Sequence, residues 1–272
     1  MPASPFWSDL STREFAALDW SSVVAVSPIA AIEQHGPHLP VGVDSMIMQG
    51  LIERIVPRLA PTPRALFLPI QSVGVSTEHG DFPGTLSLSP QTALGLLLEI
   101  AGSAVRAGAR KILLLNTHGG NSPLLAQAAL ELRAKLGVLA VTCSFARFGY
   151  PAGLFDADEL RHGIHGGCVE TSLMLALRPE LVDMDRAENF AVATRAFEQD
   201  FTWLQADRPA GFGWMARDLS PAGAMGDAAG ATAAKGEATI QFWVGAFIEL
   251  LTEIERFDLS SLSSSPNDKF GQ

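Results

Sequence analysis

Short apolar runs alternate with segments of helical periodicity along the first half of the chain. The apolar runs are rich in Val, Ile and Leu and predict four strands, over residues 23–32, 65–70, 111–115 and 138–143. Between them, apolar positions recur every three or four residues and predict helices over 45–59, 91–107 and 123–136. Strands that are apolar throughout and alternate with helices are typical of a parallel sheet covered on both faces. We therefore expect an α/β fold with a mostly parallel central sheet.

The pattern is less regular in the second half of the chain. After Tyr150, loops containing Gly and Asp precede a predicted helix over 168–177, and no clear periodicity follows until about residue 226. A long amphipathic helix is predicted over 232–257. No break in composition divides the 272 residues, so we expect one domain over 1–258 and a frayed, Ser-rich tail over 259–272.

Charge and composition exclude several classes of partner. The formal net charge is -10, and no cluster of Lys and Arg offsets it, which disfavours nucleic acid and anionic membranes. No apolar run is long enough to cross a bilayer, and the N-terminal residues do not resemble a secretory signal. The two cysteines do not form a framework of spaced pairs. We expect a soluble cytoplasmic protein.

The histidines are concentrated at predicted strand ends. All six lie in loop-like segments near Gly or Pro: His35, His38, His79, His118, His162 and His165. Ligands of open α/β sheets bind at the carboxyl ends of the strands, where residues 33–44 and 116–121 are expected to lie. Since histidine is the commonest metal ligand and a frequent acid or base near neutral pH, this pattern favours a functional site over scattered structural histidines.

Four of these loop residues have the chemistry of a metal site. Glu33 and His35 are two residues apart, so their side chains point the same way if the strand continues through them. Asp44 returns at the start of a helix, where it can also be an N-cap. With His118 from a neighbouring strand end, two carboxylates and two imidazoles can converge. Such a set suits zinc, manganese or iron, and Asp44 can bridge two ions.

The segment from His118 to Asn121 has two interpretations. A Gly-rich turn before a helix can cradle a phosphate, but the spacing is that of neither common nucleotide fingerprint. We favour the alternative, in which Gly119 and Gly120 let substrate approach the metal closely.

His165 and Glu170 flank the start of the helix predicted at Cys168. Glu170 is a candidate metal ligand, although a glutamate near a helix start is also stabilised by the helix dipole. Cys168 is a poor candidate nucleophile because it belongs to an apolar helical pattern. His165 has no such structural alternative.

Taken together, the sequence resembles the creatininase family of metal-dependent amidohydrolases over most of its length. Five ordered motifs carry the resemblance: Glu33-Gln-His-Gly-Pro-His38 with Asp44, Glu78-His-Gly-Asp-Phe-Pro-Gly-Thr85, Asn116-Thr-His-Gly-Gly-Asn121, Gly166-Gly-Cys-Val-Glu-Thr-Ser172 and Gly230-Ala-Thr-Ala-Ala-Lys-Gly-Glu237. The resemblance implies a three-layer α/β/α sandwich, a homo-oligomer that is often a hexamer, and two divalent metal ions per chain. It assigns Glu33, Asp44 and His118 to one ion, His35 and the bridging Asp44 to the other, and makes His165 the catalytic histidine.

The sequence departs from the family pattern in two places. In creatininase itself a glutamate ligand lies two residues after the motif histidine, with an aromatic residue between them, where this chain has Gly120 and Gly119. Glu170 is our candidate for the missing ligand. The Trp-Asp pair that holds creatinine is matched by Arg161 and His162. A substrate other than creatinine, contacted by His162, is therefore expected.

The resulting hypothesis is hydrolysis of a non-peptide C–N bond in a small-molecule amide, cyclic or linear. A metal-activated water attacks the carbonyl, and His165 passes a proton to the leaving nitrogen. Branches of the family that also have two glycines at the positions of Gly119 and Gly120 include a formamide hydrolase and a peptidase of mycofactocin maturation. Two other classes stay open: a metal phosphoesterase, for which Arg161 is the nearest cation, and a non-catalytic protein that binds a small molecule.

Overall fold

A four-stranded parallel sheet in the order β2-β1-β3-β4 forms the centre of the fold. The computed structural model describes residues 4–59 and 65–262. The four strands lie close to their predicted positions: β1 (Val24–Ile29), β2 (Ala65–Phe67), β3 (Lys111–Asn116) and β4 (Leu139–Ser144). The first three are buried throughout, whereas β4 is an edge strand and is partly exposed. The predicted parallel sheet is confirmed.

Nine α-helices are assigned within the described residues. They are α1 (Thr12–Ala16), α2 (Val43–Ile55), α3 (Pro90–Ala107), α4 (Ser122–Leu136), α5 (Ala157–His162), α6 (Cys168–Leu177), α7 (Thr194–Asp200), α8 (Ala216–Leu219) and α9 (Ala233–Arg256). The region without clear periodicity contains two small strand pairs. Antiparallel β5 (Asn189–Phe190) and β8 (Gly226–Asp227) form one, and parallel β6 (Leu204–Gln205) and β7 (Ala210–Gly211) form the other.

The helices cover both faces of the sheet. Val24 and Val26 of β1 pack into one core together with α2, α6 and α9, while Ala25 and Ile29 pack into a second core with α3 and α4. This alternation follows from the two-residue period of a strand. The predicted three-layer α/β/α architecture is therefore confirmed. Phe247 of α9 is fully buried in the first core, and its truncation to alanine is expected to cost about 3–5 kcal/mol.

Close packing of α9 against α6 fixes the helix that carries Glu170. A Cβ atom on Gly236 of α9 would overlap the carbonyl oxygen of Ser172. The helices therefore approach more closely than a side chain at this position allows. The hydroxyl of Thr232 accepts a hydrogen bond from the Lys235 amide at 3.2 Å and caps the start of α9.

One sequence prediction about local structure is wrong. The strand predicted over 23–32 ends at Ile29, which forms the last pair with Asn116 of β3. Beyond that pair, the amide of Ala30 donates to Gln71 in a loop, so no ladder extends to Glu33. The frayed tail predicted over 259–272 stays a prediction, because residues 263–272 lie outside the described part; its first residues, Leu259–Ser261, form a short 3-10 helix. The single domain over 1–258 stays a prediction.

None of the helices in the described residues combines the length and apolar character needed to cross a bilayer.

Candidate active site

The loop after β1 turns back on itself and places Glu33 and His35 in the interior. The Glu33 amide donates to the carbonyl of Val41 at 2.8 Å, and His35 Nδ1 donates to the carbonyl of Glu33 at 3.0 Å. Both side chains are 1% exposed. Because a carbonyl only accepts, Nδ1 carries the hydrogen and His35 Nε2 is left with a free lone pair. The sequence correctly predicts that the two side chains point into the same space. The predicted cause, a strand that continues through Glu33 and His35, is wrong, because a turn orients them.

Asp44 lies in the first turn of α2 and points toward the same space. The N-cap of α2 is Gly42, so the interpretation of Asp44 as an N-cap is wrong. Asp44 Oδ2 lies 3.8 Å from His35 Nε2 and 3.9 Å from His118 Nδ1. Burial, followed by the neighbouring Glu33 carboxylate, raises the pKa of Asp44 well above its ordinary value.

His118 reaches this space from the end of β3. Its Nε2 donates to the carbonyl of Val75 at 2.8 Å, so Nδ1 faces Glu33 Oε1 at 3.2 Å. Burial is the largest single influence on the pKa of His118 and lowers it, but the neighbouring carboxylates, chiefly Glu33, together outweigh burial and raise that pKa to about 10. Burial likewise works against ionisation of Glu33, but the neighbouring histidines, chiefly His118, together outweigh it and lower the pKa of Glu33. A metal ion bound here takes the place of the proton on Nδ1.

The unpartnered polar atoms of the interior identify what these residues fit. Four buried side-chain atoms have no hydrogen-bond partner within the described residues: Glu33 Oε2, His35 Nε2, Asp44 Oδ2 and His38 Nδ1. The first three atoms belong to Glu33, His35 and Asp44, which form one group of potential metal ligands; each residue offers one ligand atom within 4.8 Å of the others. An unpaired buried polar atom costs about 1–3 kcal/mol. Two carboxylates and an imidazole sharing one space are the donors that a borderline divalent ion takes. The residues present therefore fit a metal.

Glu170 joins this group from α6, as predicted. Its Oε2 accepts a hydrogen bond from the Gly166 amide at 2.5 Å and lies 3.8 Å from His35 Nε2. Burial raises the pKa of Glu170. His35, His165 and Glu170 form another group of potential ligands. Glu170 is therefore close enough to His35 to serve at the same ion.

His165 lies between two other histidine rings. The centroid of its ring is 4.2 Å from that of His35 and 4.2 Å from that of His79. Its Nε2 donates to the carbonyl of Gln34 at 2.6 Å, and its Nδ1 faces Glu33 Oε1 at 3.6 Å. The carbonyl fixes the tautomer, so Nδ1 is the nitrogen that presents a lone pair to the site.

His79 is a residue of the site that the sequence prediction missed. The side-chain nitrogen of Gln34 donates to the backbone carbonyl of Gly223 at 3.0 Å, and the side-chain oxygen of Gln34 accepts from the backbone amide of Gly36 at 2.9 Å. These two hydrogen bonds fix the orientation of the Gln34 side-chain amide. The same nitrogen lies 2.8 Å from His79 Nδ1, which must therefore accept. The hydrogen of the neutral ring is on Nε2, 3.5 Å from Glu33 Oε1. Burial lowers the pKa of His79 to about 3. His79 thus presents a neutral N–H to the site.

Glu78 was also missed, and it lies beside Gly120, the glycine at the position where creatininase itself has a glutamate. Its Oε1 is 3.7 Å from His118 Nε2, and Glu33, Glu78 and His118 form a further group of potential ligands. A Cβ atom on Gly120 would overlap Glu78 Oε1 and His118 Nε2. Both missed residues belong to one of the family motifs. For Glu78 that motif was the only signal in the sequence, whereas His79 also belongs to the set of loop histidines.

The metal-site candidates open into a cavity of about 470 Å³. Its outer wall contains His162, Arg161 and Trp214, and Gly119 and Gly120 line it near His118. His162 Nδ1 lies 2.8 Å from the Thr194 hydroxyl. Arg161 Nε donates to Glu198 Oε1 at 2.5 Å. The three residues predicted to contact substrate, Gly119, Gly120 and His162, thus line the cavity.

A buried carboxylate holds the loop that carries His165. Glu159 is 7% exposed and accepts hydrogen bonds from the amides of Cys168 at 2.6 Å and Asp227 at 2.7 Å. Cβ atoms on Gly163 and Gly167 would overlap its carboxylate, so the loop wraps tightly around it. In the sequence Glu159 resembles an ordinary exposed residue of a short helix, so no signal pointed to this role.

Cys168 does not have the environment of a nucleophile. It is 3% exposed, and burial raises its pKa, so the thiolate is disfavoured. This agrees with the expectation from the sequence.

Comparison with known proteins identifies the family. Residues 8–251 match the creatininase family model, which is described as creatinine amidohydrolase. The chain belongs to the creatininase family. It is 33% identical to the creatinine amidohydrolase of Pseudomonas putida over 216 residues, 71% of this chain and 80% of that relative. It is 31% identical to the mycofactocin precursor peptide peptidase of Mycobacterium ulcerans (strain Agy99) over 239 residues, 85% of this chain and 86% of that relative.

Solved structures of creatininase share the fold. A creatininase with manganese superposes with a TM-score of 0.71 at 28% identity, covering 93% of this chain and 100% of that one. A zinc form of a glutamate-to-glutamine creatininase variant gives a TM-score of 0.72 at 28% identity, covering 94% and 100%. Creatininase family members thus include proteins named for manganese and zinc. The two relatives above are named for different substrates, so family membership alone does not identify the substrate.

Proposed function

We propose that this protein is a metal-dependent amidohydrolase that cleaves a C–N bond in a cyclic or linear amide other than creatinine. One observation carries the proposal: Glu33, His35 and Asp44 form one buried group of potential metal ligands, and each has a buried polar atom without a hydrogen-bond partner in the described residues. The expectation that the bond is not a peptide bond stays a prediction, since one relative is named as a peptide peptidase.

Two divalent ions per chain, zinc, manganese or iron, are assigned to this space. Glu33, Asp44 and His118 would hold one, and His35, Asp44 and Glu170 the other. When bound, such ions supply Lewis acidity: they lower the pKa of water and stabilise negative charge on an attacked carbonyl oxygen.

The chain itself supplies the proton transfers. His165 is held by the Gln34 carbonyl so that Nδ1 faces the site. This nitrogen takes a proton from the attacking water and passes it to the leaving nitrogen of the amide. The His79 Nε2–H, whose position is fixed by Gln34, is a second donor within the site. No covalent intermediate is needed, in agreement with the buried Cys168 thiol.

The substrate-contacting part of the cavity differs from what creatinine needs. Arg161 and His162 stand where the family has the Trp-Asp pair, and Glu198 and Asp207 face Arg161 at 2.5 and 3.5 Å. This outer wall is therefore polar and charged, and it suits a substrate with hydrogen-bonding groups beyond the scissile amide. Assembly into a homo-oligomer such as a hexamer stays a prediction, which size-exclusion chromatography with light scattering can test.

Turnover by the purified full-length protein tests the proposal. Protein loaded with zinc or manganese and protein treated with a chelator are compared on creatinine, formamides, lactams, short peptide amides and a phosphate ester. We expect hydrolysis of at least one amide that is lost on chelation and restored by metal, and no hydrolysis of the phosphate ester. Hydrolysis of the phosphate ester alone would identify a phosphoesterase. Metal-loaded protein that turns over nothing in the panel would support the non-catalytic alternative.

A further inference from the structure

A second cavity, of about 600 Å³, lies beside the candidate active site. The two cavities share a boundary formed by His118, Gly119, Pro123, Glu170 and Asp207. The second cavity has an apolar, buried floor made by Ile47, Phe145, Val169, Leu173 and Trp243. A concave apolar surface of this size is typical of a site for part of an organic ligand. The candidate metal site does not by itself require such a space.

Gly119 leaves the boundary between the cavities open. A Cβ atom on Gly119 would meet no atom within 4 Å, in contrast to one on Gly120, which would overlap Glu78 and His118. The backbone of Gly119 is not left-handed, so its conformation does not require glycine. The missing side chain therefore has a spatial consequence: it leaves room for a ligand to extend from one cavity into the other.

Two polar groups of the second cavity have no partner among the residues that the structure describes. Within the described residues no carboxylate pairs with the exposed Arg147, and no group hydrogen-bonds the Tyr150 hydroxyl. Burial raises the pKa of Tyr150 to about 12, so its hydroxyl keeps its hydrogen at neutral pH. The other arginine of the cavity, Arg208, is paired with Asp207 at 3.4 Å. Arg147 and Tyr150 together offer an unpaired cation and a hydrogen-bond donor beside an apolar floor.

We infer that the substrate is an extended amide that occupies both cavities. Its scissile bond lies beside the metal ligands, and its apolar or aromatic end, which carries a carboxylate, lies in the second cavity against Arg147 and Tyr150. This inference rests on the proposed function and adds the class of substrate to it. Hydrolysis adds the hydroxyl of water to the carbonyl carbon and its hydrogen to the nitrogen, and releases an acid and an amine.

Calorimetric binding to the metal-loaded, full-length protein tests the inference without relying on turnover. The probes are N-acetyl-L-phenylalanine, which carries an aromatic ring and a carboxylate, and the neutral N-acetyl-L-phenylalaninamide. We expect the acid to bind about tenfold more tightly than the amide, because Arg147 provides a charge-assisted hydrogen bond. Arg147→Gln should abolish this preference. Arg58→Gln should retain it, since Arg58 is an exposed arginine in the 3-10 helix that follows α2, about 20 Å from Asp44.

Substitution of Gly119 provides a second, independent test. Binding of both probes should weaken in the series wild type, Gly119→Ala, Gly119→Tyr, with a loss of about tenfold or more for tyrosine, because its ring would occupy the boundary. An acid preference that survives in Arg147→Gln would mean that the metal site holds the carboxylate, and would overturn the inference. Unchanged binding in Gly119→Tyr would overturn it as well. If the acid probe binds with the preference that depends on Arg147 but no amide is hydrolysed, only the proposed function is contradicted. If small amides are hydrolysed but the acid probe shows no such preference, only this inference is contradicted.

Discussion

The carboxylate of Glu78 occupies the space into which a side chain at Gly120 would project. Glu78 Oε1 lies 3.7 Å from His118 Nε2, and a Cβ atom on Gly120 would overlap both groups. Gly120, at the position where creatininase itself has a glutamate, thus lies against another glutamate that reaches the same histidine. The change at position 120 alters which carboxylates surround His118, and it does not simply remove one.

Gly120→Ala is expected to weaken metal binding because its methyl group must displace Glu78 or the His118 ring. Disturbing groups around a metal ligand commonly costs 10- to 100-fold in affinity, and we expect a loss of roughly this size. Metal affinity is measured by competition with a chelator. Gly119→Ala is the matched control, since its Cβ meets nothing within 4 Å, and its metal affinity should equal that of the wild type. Equal affinities in the two variants would contradict the steric argument.

His165→Ala tests the proposed proton transfer. With His165 Nδ1 absent, kcat should fall by roughly 10²- to 10⁴-fold, the usual contribution of a general acid or base. Bound metal, measured in the same sample, should be retained. His162→Ala should instead raise KM, because His162 lines the outer cavity. Intact turnover in metal-loaded His165→Ala would show that another group carries the proton.

Glu159→Gln tests whether this buried carboxylate holds the His165 loop. Glutamine has one acceptor oxygen, so its amino group would face the amide of Cys168 or Asp227, donor against donor. The free energy of unfolding should fall by about 1–3 kcal/mol, as measured by urea denaturation. Glu99→Gln, an exposed change on α3, should stay within about 0.5 kcal/mol of the wild type. If the two variants have the same free energy of unfolding, the hydrogen bonds of Glu159 do not stabilise the loop that carries His165.

Much of the fold followed from the sequence because its elements obey local rules. The apolar runs around β1 and β3 and the periodicity of α6 and α9 are each visible within a few residues. The convergence of Glu33, His35, Asp44 and His118 also followed, since parallel strands end at one edge of a sheet. The order of the elements predicted this shared edge, whereas the turn that orients Glu33 and His35 was not predicted.

The remaining parts depend on contacts between distant segments. The orientation of His79 is fixed through Gln34 by the Gly223 carbonyl, which is 189 positions away from Gln34. Glu159 acquires its role only when residues near Asp227 fold over it. Neither periodicity nor residue type reports such contacts, and the same holds for the second cavity beside Gly119.

Bound metal per chain tests the central claim most directly. Elemental analysis of the purified protein, reloaded with zinc or manganese, is compared with that of Asp44→Ala. We predict about two ions per chain in the wild type and a sharp decrease in the variant, because Asp44 is the carboxylate shared by both proposed ions. A wild type that binds no metal after reloading, or a variant that retains the full amount, would contradict the account.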